Sequence, residues 1–353
     1  MTDSFALSRT NIPIVNQRFD SFHAYCQSHV GSVRAENQDY YGFEKKGDFA
    51  FLIVLDGMGG HSGGFEASRI ACKAMMKHFE STCSDSVDPQ EFLRESIYKG
   101  HKAILAFASK NPKMTGMGTT VVCALLHKGK CWIAHVGDSR AHIVRDNMLY
   151  QLTIDHTCVH QLALTGDLSL EEMENHPMSH ILDRSMGSEE PLEVEVYPHP
   201  ISLQYGDRLL LSSDGFLQYV NDKDITEFLQ VPNIEQAGQT CINTSLKRGG
   251  SDNITVALLD FIEKAAASSH PIEDVRTSFH AQIALAQEKL AQEKSSFAHS
   301  SQAQSPSSLR VEYANEGEFD LPPPPEPSAT RFYIVFALIM MSLGMLLGSF
   351  FNS

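Results

Sequence analysis

Strand-like runs following one another, and helix-like runs following one another, predict an α+β chain built on antiparallel sheet rather than on βαβ units. The apolar run FAFLIVL at 49–55 has strand length, is broken by no polar residue, and stops at Asp56-Gly57. Helical spacing then occupies 64–80 and 89–109. The second helix opens with Asp88-Pro89-Gln90-Glu91, an N-cap Asp, a Pro at the first helical position and a Glu two further on. Strand patterns succeed it at 119–126, 131–136 and 141–144, with Asp146-Asn147 as a turn before 149–152. A helical insert around 158–176 carries the capping box Ser169-Leu170-Glu171-Glu172, and late strands fall at 208–212 and 253–261.

Length and charge bound what such a chain can do. With 353 residues and 42% hydrophobic content it can bury one large core and still carry appendages. The organisation expected is an N-terminal extension at 1–20, a domain at 21–262, a linker at 263–330 and an apolar segment at 332–351. The net charge of -15 argues against nucleic acid as a partner, since a phosphate backbone demands a basic footprint. Residues 263–330 hold ten Asp/Glu against five Lys/Arg, so most of the acidity belongs to the domain, where it suits metal capture. Seven scattered cysteines without CxxC spacing indicate neither a disulfide framework nor a thiolate zinc site, which suits a reducing cytosol.

The linker is rich in Ser, Gln, Ala and Pro and closes on Pro322–Pro325. Within it Ile272, Val275, Phe279, Ile283, Ala286 and Leu290 recur at helical steps. That amphipathic helix has three destinations: the domain, a second copy, or solvent. Residues 332–351 run for twenty positions without a charge, about 30 Å as a helix, and are expected to form one C-terminal transmembrane helix in contact with membrane lipid. Arg331 precedes the span, and the N-terminus lacks a secretory apolar region, so the domain is expected on the cytoplasmic side.

Aspartates mark the strand ends. Asp56-Gly57, Gly137-Asp138-Ser139, Ser213-Asp214-Gly215 and Ser251-Asp252-Asn253 each border an apolar run, and Arg34-Ala35-Glu36-Asn37-Gln38-Asp39 adds a fifth segment. An isolated Asp-Gly is more often a turn than a ligand. Carboxylates converging from several strands, however, are electrostatically costly unless cations fill the space, and oxygen donors alone favour Mg2+ or Mn2+.

The ordered set resembles the type 2C, metal-dependent Ser/Thr protein phosphatases, in particular their bacterial branch. The resemblance covers about 24–261 through SHVGSVRAENQDY (28–40), VLDGMGGHSGGFEAS (54–68), GMGTTVV (116–122), HVGDSRAHIVRD (135–146), TIDHT (153–157), RSMG (184–187), GDRLLLSSDGF (206–216) and GGSDNITV (249–256). It implies a central β-sandwich with helices outside both sheets, and hydrolysis of phosphoserine and phosphothreonine without a covalent intermediate. It also implies two Mn2+ or Mg2+ ions, with Asp56 bridging them, the Gly57 carbonyl on the first, and Asp214 and Asp252 on the second. Asp138 resembles the ligand of a third, weaker ion, Asp39 the carboxylate behind metal-held water, and Arg34 the phosphate-binding arginine. The partners implied are phosphorylated proteins and a Ser/Thr kinase with its substrates.

One departure concerns the leaving-group acid. Animal members carry a histidine directly after the bridging Asp-Gly, where this chain has Met58. His61 is the nearest candidate and His156 a weaker one. Residues 158–187 correspond to the family's flap beside the active site. A catalytically silent regulatory relative and a small-molecule phosphoesterase are the alternatives; the presence of Arg34, Asp56, Asp214 and Asp252 speaks against the first.

Overall fold

The strand Phe49–Leu55 is buried along its whole length, which is why its sequence does not alternate. Ala50, Leu52 and Val54 face the interior between two sheets, whereas Phe49, Phe51, Ile53 and Leu55 face helices on the other side. A four-layer architecture follows from this double burial. The computed structural model describes residue 10 and residues 12–302, apart from 61–62, 175, 189–190 and 264–270.

One sheet has the strand order Val15–Arg18, Phe22–His29, Ile254–Phe261, Arg208–Ser212, Arg140–Arg145 and Met148–Gln151. The other runs Glu195–Val196, Lys130–Val136, Val121–His127, Phe49–Leu55 and Tyr40–Lys46, with Ile201–Ser202 also pairing onto Lys130–Val136. Every pairing in both sheets is antiparallel, as the succession of strand patterns predicts. The sheets pack face to face through small and branched side chains such as Ala24, Ala124, Ala257, Ile143 and Leu211.

Helices Gly63–Thr82 and Pro89–Ala108 cover one outer face through Met75, Phe79, Phe92 and Ile97. The second begins where its cap sequence says: the Asp88 side chain accepts from the Glu91 N–H at 2.9 Å. Helices Asp222–Leu229 and Ile234–Lys247 cover the other face, and the sequence reading above did not foresee them. Asp146 and Asn147 have φ of 50° and 64°, the left-handed pair of a tight hairpin between Arg140–Arg145 and Met148–Gln151.

The 158–176 insert forms two short helices, Cys158–Leu164 and Leu170–Glu174, with Ser169 and Glu172 capping each other's backbone. Of the destinations open to the amphipathic segment, the domain is the one observed. The helix Val275–Gln302 buries Phe279 and Ile283 against Val159, Ala163 and Met173 of that insert. Residues 332–351 lie outside the described residues, among which no helix is long and apolar enough to cross a membrane.

Candidate functional site

Each aspartate singled out above sits just past or just before a strand at one end of the sandwich. Asp56 follows Phe49–Leu55 and is held by its backbone. Its N–H donates to Thr120 Oγ1 at 3.0 Å, and its carbonyl accepts from the Thr120 N–H and Thr119 Oγ1, both at 2.9 Å. Next to it, Gly57 has no room for a side chain: a Cβ there would stand 2.1 Å from the Gly64 carbonyl oxygen and 2.5 Å from that of Gln38.

Asp214 opens the short helix Asp214–Leu217 after the strand Arg208–Ser212, and Asp252 precedes the neighbouring strand Ile254–Phe261. Between them Gly215 lets the chains touch, since a Cβ would lie 2.0 Å from the Asn253 carbonyl oxygen. Asn253 ties the 30–38 loop to this end: its side chain donates to the carbonyls of Val30 and Glu36 and accepts from the Gln38 N–H. Arg34, on that loop and 54% exposed, donates to Asp252 Oδ2 at 2.8 Å.

Asp39 is fully buried. Its Oδ2 accepts from Ser213 at 2.7 Å and Thr255 at 2.6 Å, while Oδ1 has no partner among the described residues. Thr255 continues through Ser28 to Asn37, which in turn holds the Asp39 N–H.

The electrostatics match a site for cations. Burial pushes the Asp39 carboxyl up to about 7, helped by Asp214 and Asp252 and opposed by its two hydroxyl donors. Burial likewise raises Asp56 and Asp138 well above the carboxylate range, with Asp214 close to both. Asp214 is raised too, by burial first and with Asp252 acting in the same direction. Such a cluster holds protons to offset its own charge, and divalent cations would do the same. An all-oxygen set with an orphaned buried oxygen beside it fits Mg2+ or Mn2+.

Asp138 is positioned by a histidine. The Gly137 N–H donates to His156 Nδ1 at 3.1 Å and the His156 N–H returns to the Gly137 carbonyl at 3.0 Å. Nδ1 is therefore an acceptor, so Nε2 carries the hydrogen that meets Glu195 Oε2 at 3.1 Å. His156 is buried and both ring nitrogens are engaged, which makes it a brace for the Asp138 turn and not a free acid. The same tautomer leaves no lone pair for a metal, although His135, His156 and Glu195 bring ligand atoms within 4.8 Å of one another. Arg140, next along the strand, is held bidentately by Asp155 at 2.7 Å. His61 lies outside the described residues.

Asp138 and Asp214 thus share a wall of one cleft of about 670 Å³. The residues that sequence reasoning missed are Thr120, Ser213, Asn253 and Thr255, which hold the carboxylates without ligating anything themselves. Their signal was present, because each lies within one to three residues of a motif carboxylate or, for Thr120, inside GMGTTVV.

Comparison with known proteins extends the reading. The family model described as protein phosphatase 2C matches residues 27–249. The serine/threonine phosphatase stp of Listeria welshimeri is 36% identical over 242 residues, covering 67% of this chain and 95% of that protein. The serine/threonine protein phosphatase PstP of Mycobacterium tuberculosis is 34% identical over 248 residues, 70% of this chain and 46% of that protein. The crystal structure of M. tuberculosis PstP/Ppp superposes with a TM-score of 0.63 at 32% identity, covering 69% of this chain and all of that one. The catalytic domain of PstP in complex with two manganese ions gives a TM-score of 0.60 at 32% identity, covering 69% of this chain and 99% of that one.

Proposed function

This chain belongs to the protein phosphatase 2C family and is a metal-dependent Ser/Thr protein phosphatase, and from that premise we propose how its residues divide the reaction. Asp56, the Gly57 carbonyl, Asp214 and Asp252 would hold two divalent cations, and Asp138 would hold a third. The observation that carries this is the gathering of Asp56, Asp214 and Asp252 around a buried Asp39 whose Oδ1 has no partner among the described residues. When bound, such cations would supply positive charge to the phosphoryl oxygens and lower the pKa of a water toward neutrality.

The remaining work falls to the protein's own groups. Arg34, exposed beside Asp252, offers its planar fork to two phosphoryl oxygens. Water attacks phosphorus in line with the serine or threonine oxygen: a new P–O bond forms, the ester P–O bond breaks, and Asp39 Oδ1 receives the water proton. The departing alkoxide takes a proton from His61, whose place in the Gly-rich loop after Asp56 nominates it.

Release of phosphate from a phosphothreonine peptide with Mn2+, set against nucleoside monophosphates, tests this reading. Peptide hydrolysis that stops on chelation is expected. Preference for the monophosphates would favour a small-molecule phosphoesterase, and no turnover would favour a silent relative. In the same assay His61→Ala should slow the peptide by about 10²-fold and spare nitrophenyl phosphate, whose leaving group departs without a proton; equal losses on both remove His61 from the role.

The location is proposed from sequence alone: 332–351 anchors the enzyme so that its domain meets phosphoproteins, among them a kinase and its substrates, at the cytoplasmic face of a membrane. Deleting 332–353 should move the protein from the membrane fraction to the soluble one, and a protein that stays with membranes would be anchored elsewhere.

A further inference from the structure

The family match ends at residue 249, yet the cleft beside the metal ligands does not. Its walls come from three parts of the chain. Asp138 and Asp214 stand on one side, Val159, Leu170 and Met173 of the flap on another, and Arg276, Phe279 and His280 of the helix Val275–Gln302 on the third.

That helix bridges the sandwich and the flap. At its start, Ile272 and Val275 pack on the inner core of the sandwich, and Tyr197 Oη exchanges hydrogen bonds with the backbone of Glu273 at 3.0 and 2.9 Å. Arg276 is fixed by Asp274 and by Asp222, which also lines the cleft. One turn on, Phe279 and Ile283 enter the flap, and farther along Gln287 donates to the Leu168 carbonyl at 3.4 Å. Gly166 approaches so closely that a Cβ on it would lie 3.2 Å from the Ala286 carbonyl.

The flap's core is shared with the helix. Among the described residues its buried apolar cluster has five members, and two of them, Phe279 and Ile283, belong to the helix. Without them Val159, Ala163 and Met173 would keep only half-buried neighbours such as Leu164, Leu168 and Leu170, which weakens what fixes the distance of Cys158–Leu164 and Leu170–Glu174 from Asp138.

We propose that the helix Val275–Gln302 is a specificity element of this phosphatase, a strut that sets the flap over Asp138 and Asp214 and so shapes the cleft for a phosphorylated polypeptide segment. Phe279, Ile283 and Ala286 are positioning residues and touch no reacting atom. The proposal rests on the reading of Asp138 and Asp214 as metal ligands. A small aryl phosphate reaches the metals without needing the walls, whereas a peptide must lie between the flap and the helix, so the two substrates separate a fault in the cleft from a fault in the metal centre.

The test uses the full chain with Mn2+ and compares parent, Phe279→Ala/Ile283→Ala and Ala286→Trp on a phosphothreonine peptide and on p-nitrophenyl phosphate. The first variant empties the flap cluster. The second leaves it intact and wedges bulk where Gly166 approaches. Both are expected to raise KM for the peptide by roughly 10- to 100-fold, the cost of misplacing a substrate by an ångström or so, and to leave kcat/KM for the aryl phosphate within about twofold. Phe279→Leu should restore the peptide KM. Equal losses on the two substrates, or no change on either, would overturn the proposal. Absence of Mn2+-dependent turnover by the parent on both would overturn the phosphatase reading beneath it.

Discussion

Three adjacent strands of one sheet run between two ends that treat charge in opposite ways. At one end Asp138 precedes Arg140–Arg145, Asp214 follows Arg208–Ser212, and Asp252 precedes Ile254–Phe261. There the carboxyls crowd together, and burial pushes Asp56, Asp138 and Asp214 upward. At the other end of the same strands Arg145 holds Asp207 and Arg208 holds Asp260, each through two guanidinium nitrogens. Both ends bury aspartates. One end matches Asp207 and Asp260 with an arginine each. At the other Arg34 reaches Asp252, while Asp56, Asp138 and Asp214 have no ion-pair partner among the described residues, the arrangement expected of a cation site rather than of a structural ion pair.

The paired end should be where mutation costs the most stability. Arg145 and Asp207 have side chains only 10% and 2% exposed, and Asp207 also accepts from the Gln204 N–H. Arg145→Met would strand that carboxylate, and a loss of about 3–5 kcal/mol in denaturant unfolding is expected, with turnover of the remaining folded enzyme unchanged. A loss below about 1 kcal/mol would mean that the two ends do not differ as described.

Midway along the same strand lies a smaller effect of a third kind. His142 is fully buried, and neither ring nitrogen has a partner among the described residues. Burial, with Arg140 and Arg276 acting in the same direction and Asp222 and Asp155 against, lowers its pKa to about 3. Because the folded value lies below the unfolded one, the unfolded chain takes up the proton first on acidification. The neutral ring's share of stability is complete above about pH 6.5 and is lost as pH falls toward 3, reaching about 2 kcal/mol at pH 5. His142→Leu should flatten the fall in thermal midpoint between pH 6.5 and 5; an unchanged slope would place the acid sensitivity elsewhere.

How much of this was legible in the sequence depended on whether the determinant was local. The strand Phe49–Leu55, the capped helix at Pro89 and the Asp146-Asn147 turn were readable because one face, one cap or one pair of dihedrals decides each. Helices Asp222–Leu229 and Ile234–Lys247 went unread, although Asn221 with Asp224 and Asn233 with Gln236 supply cap bonds to their first turns. At the site, Arg34 and the aspartates stood out as motifs. The residues that orient them, Ser213 and Thr255 under Asp39 and His156 behind Gly137, lie within or beside those motifs, but their roles act across more than 170 positions or through a tautomer, which the motifs alone do not reveal. Where the helix beyond residue 272 would dock depended on a flap whose core it completes, a fact of packing alone.

The central claim is that the unpaired end is costly to the empty fold and is resolved by divalent cations. Asp214→Asn in the full chain tests it, read by calorimetric titration with Mn2+ and by the thermal midpoint of the chelated protein. Removing one of the crowded carboxylates should cost the protein at least one of two manganese ions and most of its phosphatase activity, while the metal-free variant melts at a higher temperature than the metal-free parent. A variant that binds two ions as tightly as the parent and keeps its turnover, or whose metal-free form melts lower, would contradict the account.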